Sequence, residues 1–272
     1  MSVLFKDIFR ICVEARFPPK LPGTRGRPPL MTFDEVYDCL LHVIRTGTQW
    51  RYVKPANVSY MTVYKTMQKW MRANLYEIAY NNFLEQYRKE RKARYYAIDS
   101  TYVKNVYGIT CTGRNPTDRG RKATKLSTIV DDIGVPYCIL LTPANMSDFR
   151  LFEPTLKKTL QPLDKGKEIF ADKGYDSREN RETAVNYGLK DRIFKRKTTN
   201  CRRTHVKRGI IERVFSWVDK YRRLILRYEK HVEVYASMTY LAFGVILERR
   251  MTTLVSITHI FSLVILTVQG GR

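Results

Sequence analysis

Apolar residues along the first third of the chain recur at helical spacing. Phe33, Val36, Tyr37, Leu40, Leu41 and Ile44 follow i, i+3, i+4. Thr32 with Glu35 three residues on predicts a capped start, and Gly47 a stop. Ser59 predicts the cap of a second helix, Met61 to Ala73, with Val63, Tyr64, Met67, Trp70 and Met71 on its apolar side. A third follows through Tyr76, Ile78, Ala79, Phe83, Leu84 and Tyr87. From residue 94 the pattern changes to strands. Tyr95 to Val103 is one, and Leu126–Val130 with Tyr137–Leu141 forms a hairpin across an Asp/Gly/Pro turn. Helices are expected at Asp148–Leu160 and Ser177–Tyr187, short strands at Glu168–Ala171 and Arg192–Phe194, and a long amphipathic helix from Arg208 to Tyr228. That order describes an α/β sheet covered by helices.

Charge sharpens this picture. With 49 Lys+Arg against 26 Asp+Glu, the net charge is 49 − 26 = +23, which points to a polyanionic partner. The basic residues are spread along the chain among aromatics, which favours nucleic acid over a membrane surface. Between Lys190 and Lys230, fifteen Lys/Arg face four acids, 15 − 4 = +11. Lys65, Lys69 and Arg72 on the second helix suit a helix-turn-helix contact with DNA. The basic Pro/Gly stretch Pro18–Pro29 suits a phosphate backbone or minor groove, or is a plain linker. Five dispersed cysteines, at 12, 39, 111, 138 and 201, form neither a disulfide framework nor a zinc motif. The N-terminus lacks a signal-peptide pattern. Thr252–Val268 is apolar but slightly short for a membrane span and carries His259. It reads as a packing strand or helix, or as an appended tail, and no membrane partner is expected.

Asp99 stands in an apolar strand and Asp172 ends another, a costly placement unless the acid is paired or binds a cation. In an open α/β sheet, ligands bind at the carboxyl ends of strands. Glu212 lies on the last long helix. Three carboxylates together need a cation, and hard oxygen donors suit Mg²⁺. Two such ions, with Mn²⁺ as a substitute, serve in-line phosphoryl displacement. Spacing alone (172 − 99 = 73 and 212 − 172 = 40 residues) favours ordinary surface or loop acids. Asp131 and Asp132 read as turn formers, Asp176 as a helix-start acid and Trp217 as core.

Longer words carry more. GRPPLMTFDEVYDCLLHVIRTGTQWRYV, NPTDRGRKATKLSTIVDDIGVPYCILLTPANMSD, ADKGYDS and RGIIERVFSWVDKYRRLILRYEK each resemble the DDE transposases of bacterial insertion sequences, specifically the insertion-sequence-5 group, over about residues 25 to 250. The resemblance implies an RNase H-like mixed sheet flanked by helices, preceded by a small all-helical, helix-turn-helix-like domain. It implies the acid set Asp99, Asp172 and Glu212 as catalytic and metal-holding residues, with Asp148 a candidate neighbour of that set. Of the family signature Tyr-x2-Arg-x3-Glu-x6-Lys, Arg208 and Glu212 match. His205 holds the tyrosine position and Asp219 the lysine position, with Lys220 one step on and Arg222 and Arg223 close behind.

The expected organisation is a basic arm at 1–32, a helical DNA-binding domain at 33–92, a catalytic domain at 93–250 and an apolar tail at 251–272. The DNA-contacting set is Lys65, Lys69, Arg72, Arg114, Arg121, Lys122, Lys173, Arg202, Arg203, Lys207, Arg208, Lys220 and Arg223. The implied activity is binding the inverted-repeat ends of its own element, cleaving a phosphodiester there, and joining the freed 3′-OH to target DNA. The partners would be double-stranded element ends and target DNA, and the state a homodimer or larger. The chain would act in the cytoplasm, or in the nucleus of a eukaryotic host. The alternatives are a catalytically silent DNA-binding protein and a nuclease without strand joining.

Overall fold

A computed structural model of the chain describes residues 4–19, 29–55, 58–195 and 202–269, the side chains of 202–208 and 253–269 excepted. Helices α1 (Phe5–Arg16), α2 (Phe33–Thr46), α3 (Tyr60–Arg72) and α4 (Leu75–Glu90) come first. The expected capping box is present: Thr32 accepts from the Glu35 N–H at 3.3 Å, and Glu35 accepts from the Thr32 N–H at 2.7 Å. Gly47 closes α2 in the left-handed conformation, φ 75°. Ser59 caps α3 through the Met61 N–H.

The first 32 residues differ from the expected arm. Phe5, Ile8, Phe9 and Val13 form the buried face of α1, and Phe5 and Phe9 pack among Phe83, Tyr37, Trp70 and Tyr76. Residues 20–28, the core of the basic Pro/Gly stretch, lie outside the described residues.

The sheet consists of β1 (Tyr95–Asn105), β2 (Gly113–Arg114), β3 (Lys122–Asp131), β4 (Leu140–Pro143), β5 (Glu168–Ala171), β6 (Lys190–Ile193) and β7 (Leu226–Arg227). Its main path runs β2-β3-β1-β5-β6, with β4 beside β3 and β7 beside β1. β1, β3 and β4 are antiparallel neighbours, while β1, β5 and β6 run parallel. This is the mixed sheet expected of an RNase H-like core. The remaining helices are α5 (Phe152–Lys157), α6 (Arg178–Asn186), α7 (Arg202–Val218), α8 (Arg222–Ile225) and α9 (Val232–Gln269).

Two expected helices are shorter than their apolar spacing predicts. Asp148–Leu160 resolves into a 3₁₀ turn at Asp148–Arg150 followed by α5. Arg208–Tyr228 breaks after Val218, and Tyr221, in extended backbone, precedes α8. The break lets Tyr221 and Leu224 enter the main core, while Ile210, Ile211 and Val214 of α7 pack with Ala97, Val130 and Phe170 on the sheet.

The main core is continuous from Phe5 and Phe9 through α2, α3 and α4 to Ile98 and Ile129 of the sheet and Leu241 and Phe243 of α9. The junction expected at 92/93 falls in the loop between α4 and β1. Across it, the Tyr80 hydroxyl donates to the Pro136 carbonyl and the Tyr87 hydroxyl to Asp131. Among the described residues no helix is long and apolar enough to cross a membrane. The backbone of the expected tail continues α9, and its side chains from 253 onward lie outside the described residues.

Candidate active site

Strand register brings the first two acids together. β1 and β5 pair in parallel as Tyr95–Glu168, Tyr96–Ile169 and Ala97–Phe170, an offset of 168 − 95 = 73. Continued two residues, the same offset sets Asp99, midway along β1, beside Asp172, just past the carboxyl end of β5 (172 − 99 = 73), on strands about 4.8 Å apart. Side chains alternate along a strand, so Asp99 shares the face of Ala97 and Asp172 that of Phe170. Asp172 keeps the alternation because its backbone is still extended, φ −75°, ψ 170°. That face is the one α7 covers through Ile210, Ile211 and Val214, and Glu212 and Arg213 are the exposed residues between them. Among the described residues, no three His, Cys, Asp or Glu side chains are gathered closely enough to hold a metal ion. The fold thus places two acids side by side and the third on the helix above, without closing them into one cluster.

A second set of contacts stiffens the strand ends. The Ser100 N–H donates to Asp99 Oδ1 at 2.8 Å. On the opposite sheet face, Ser100 Oγ and Lys125 Nζ both donate to Asp148 Oδ1 at 2.7 Å. Lys125 is 2 % exposed; its ammonium also donates to the Met146 carbonyl at 3.0 Å and lies 4.9 Å from the Tyr102 ring centre. The turn after Asp172 presses on the same carboxylate: a Cβ on Gly174 would stand 3.0 Å from Asp148 Oδ2. Asp148 therefore ties β1, β3 and the exit of β5 to one point. Tyr175, fully buried beneath it, has its hydroxyl pKa raised well above the ordinary value, first by burial and then by the fields of Asp99 and Asp148. Asp148 starts its 3₁₀ turn as the sequence suggests, but its pairing with Lys125 went unread. The available signal was a lysine inside the apolar strand Thr124–Val130.

The donor chemistry fits a hard divalent cation. Asp99 of β1 and Asp172 just past β5 are carboxylates of the kind such an ion takes, and Asp148 beside them is engaged by a lysine and a serine. Asp176 pairs with Arg181 at 2.7 Å, and Asp132 is held by Arg91 and Arg94. Asp131 shapes the turn as expected, accepting from the Ile133 and Val135 N–H groups, and is fully buried as well.

The basic set divides. Lys65, Lys69 and Arg72 lie at i, i+4, i+7 on the exposed face of α3, with the Lys69 ammonium 3.8 Å from the Phe17 ring centre. Arg114, Arg121 and Lys122 are exposed around the β2–β3 pairing, Lys173 follows Asp172, and Lys220 is exposed in the turn after α7. The side chains of Arg202, Arg203, Lys207 and Arg208, and that of His205, lie outside the described residues. Arg223 corrects the expectation. It is 7 % exposed, paired with Glu229 at 2.8 Å and stacked on Tyr228, so it is part of the core and not a DNA contact. Arg227 is fully buried, donating to Thr124 Oγ1 at 2.7 Å. The charge of the 190–230 stretch is therefore partly structural.

A family model described as the transposase DDE domain matches residues 90–246, 157 of the 272 residues. A Burkholderia cepacia protein described as a transposase for insertion sequence element IS402 is 30% identical over 138 residues, 48% of this chain and 65% of that protein. The match thus spans less than two thirds of that relative's length. Similarity to solved structures is distant. The piggyBac transposase synaptic complex with hairpin DNA overlaps at a TM-score of 0.47 with 10% identity, covering 92% of this chain and 73% of that one. The Mos1 strand transfer complex gives 0.34 with 12% identity, covering 85% and 79%.

Proposed function

The chain belongs to the transposase DDE domain family, and we propose that it is the DNA transposase of an insertion sequence, of the insertion-sequence-5 group by the resemblance of its sequence words. It binds the terminal inverted repeats of its own element, cleaves a phosphodiester at each end and joins the freed 3′-OH to target DNA. The observation that carries this reading is the parallel register of β1 and β5, which when continued sets Asp99 beside Asp172 on the sheet face covered by the helix that bears Glu212.

Asp99, Asp172 and Glu212 would hold divalent cations, Mg²⁺ in two copies with Mn²⁺ as a substitute. These supply Lewis acidity for attack at phosphorus. The chain's own groups position that reaction. The Ser100 N–H fixes one oxygen of Asp99, and the Lys125–Asp148 pair holds the strand ends against the turn that follows Asp172. The basic residues Arg114, Arg121, Lys122 and Lys173 bring the phosphate backbone to the strand ends, and Lys65, Lys69 and Arg72 present α3 to duplex DNA. Cleaving and joining are both attacks on phosphorus, so one site performs both. Two ends must be joined, so the working form is at least a dimer on DNA.

The test uses the purified full chain and duplexes carrying the repeats that flank its gene. Cleavage and strand transfer are expected in Mg²⁺ and lost in a chelator. Asp99→Asn, Asp172→Asn and Glu212→Gln should each lower both reactions by at least about 10²-fold while leaving end binding within about twofold, since an interaction made in the transition state is removed and ground-state contacts are not. Any one of these variants keeping native strand transfer removes that residue from the acid set. A wild-type chain that binds ends without cutting them is a DNA-binding protein only.

A further inference from the structure

At the C-terminal end of α7, four cations meet around an aromatic floor. Arg45 of α2, Lys220 of the α7–α8 turn, and Arg249 and Arg250 of α9 line a cleft of about 270 Å³ with Trp217 and Tyr221. Trp217 is fixed from below: a Cβ on Gly134 would stand 2.8 Å from its ring. The Arg250 guanidinium lies over the same ring, 4.7 Å from its centre. Tyr221 is 4 % exposed, and its hydroxyl has no hydrogen-bond partner among the described residues. Arg250 Nε is likewise buried without one. Both residues line the cleft, and a buried donor left unpaired costs about 1–3 kcal/mol, which an acceptor drawn to this wall would offset. Burial raises the Tyr221 pKa, which keeps its hydroxyl a donor. The acid that acts on Tyr221 is Glu248, whose carboxylate accepts the Phe5 N–H at 3.2 Å. Four cations along one cleft concentrate positive charge within a Debye length of about 8 Å.

The position sets the cleft apart from Asp99 and Asp172, with Glu212 lying between on α7, five residues before Trp217. Gly134, which touches Val214 and Trp217, lies in the turn beyond Asp131, and Asp131 pairs with Tyr96 near the start of β1. Asp172 lies past the carboxyl end of β5, and Asp99 lies three residues beyond Tyr96 along β1.

We propose that this cleft binds a backbone phosphate of duplex DNA away from the reacting phosphodiester. The Tyr221 hydroxyl and Arg250 Nε–H donate to the phosphate oxygens, and Arg45, Lys220 and Arg249 neutralise its charge. The inference rests on the DNA-acting reading above. It commits to DNA because the chain carries +23 and the cleft is formed jointly by α2 and the helices that follow the sheet, a surface a duplex can lie across.

The experiment measures the affinity of the full chain for a short duplex of unrelated sequence, by fluorescence anisotropy over a salt series. Each phosphate contact contributes about 0.9 to the slope of log K against log salt. Arg45→Gln combined with Arg250→Gln should flatten that slope by about 0.9. Tyr221→Phe should weaken binding about tenfold, since a hydrogen bond to a charged group is removed, without lowering the melting temperature. Unchanged slope and affinity in both variants, with native circular dichroism, overturn the proposal. So does displacement of the duplex by inorganic phosphate at constant ionic strength that disappears in Tyr221→Phe, because free phosphate is then the occupant. The two readings fail separately: a wild type that never cleaves but shows these slope changes keeps the cleft and loses the transposase. A cleaving wild type with unchanged slopes does the reverse.

Discussion

Lys125 shows how much one side chain can be asked to hold. Its ammonium is withdrawn from water and spends its donors on Asp148 and the Met146 carbonyl. Lys125→Met keeps the length and removes the charge, leaving Asp148 with Ser100 and partial solvent. The expected loss is about 1–3 kcal/mol of stability, read as a lower melting temperature. The DNA cleavage proposed above should fall further than stability explains, because Asp148, packed close to the turn after Asp172, loses its buried partner. Native cleavage in this variant would confine Lys125 to a packing role. Asp131 carries a parallel lesson. A turn-forming aspartate ordinarily tolerates asparagine, but here one carboxylate accepts from two turn N–H groups, the Tyr87 hydroxyl and Arg91. Asp131→Asn turns an amide donor toward two donors and should cost about 1–3 kcal/mol. The turn itself was legible from Asp-Asp-Ile-Gly-Val-Pro, whereas the partners come from α4, forty residues earlier in the chain for Arg91, and no local pattern announces them.

At the scale of elements, the seating of α1 on α9 depends on the bareness of Gly244. A Cβ there would stand 2.3 Å from the Phe5 ring, which is fully buried and cannot retreat. Gly244→Ala should destabilise the fold by about 1–3 kcal/mol through overpacking, and Gly244→Ala with Phe5→Leu should recover part of the melting temperature. No recovery would mean that the helices separate for another reason. The spacing of Phe5, Ile8, Phe9 and Val13 is helical, so α1 is legible once the Pro/Gly run behind it is read separately. The capped starts of α2, α3 and α6 were legible because a cap is a local bargain between a side chain and the next turn. The break after α7 was not: apolar spacing runs on through it, and only the competing pull of two cores decides where the helix stops. Candidate acids can be read from strand ends, but the offset that pairs β1 with β5 is a property of the assembled sheet.

For the molecule as a whole, two carboxylates bind α4 and the loop after it to the sheet side. Burial acts against the ionised form of each, yet Arg91 and Arg94 hold Asp132 below the ordinary range, and Tyr96 and Arg88 do the same for Asp164. A folded-state pKa lowered in this way gives stability that is present above the unfolded value and lost as pH falls through the folded one. Asp131 is shifted up by burial, so its contribution has the opposite sign and partly offsets the loss. The melting temperature should therefore fall as pH drops below about 4. Asp132→Asn should lower it at neutral pH and flatten that fall; an unaltered acid profile would show that other carboxylates govern it. The same ties make residues 1–92 a poor independent fragment, since Tyr80 and Tyr87 of α4 find their partners in the β3–β4 turn.

A continuous core from α1 through the sheet to α9 also has a metric consequence. If α3 reads the end of the element and the acids cut it, reader and cutter are mounted on one rigid body, with no swivel between them. The protein then works as a ruler, fixing both the distance and the rotational phase between the recognised bases and the severed bond. Inserting about 5 bp, half a helical turn, between them should abolish cutting. Inserting a full turn should restore phase without restoring distance, and so leave the end uncut as well. A flexible pair of domains would tolerate either insertion.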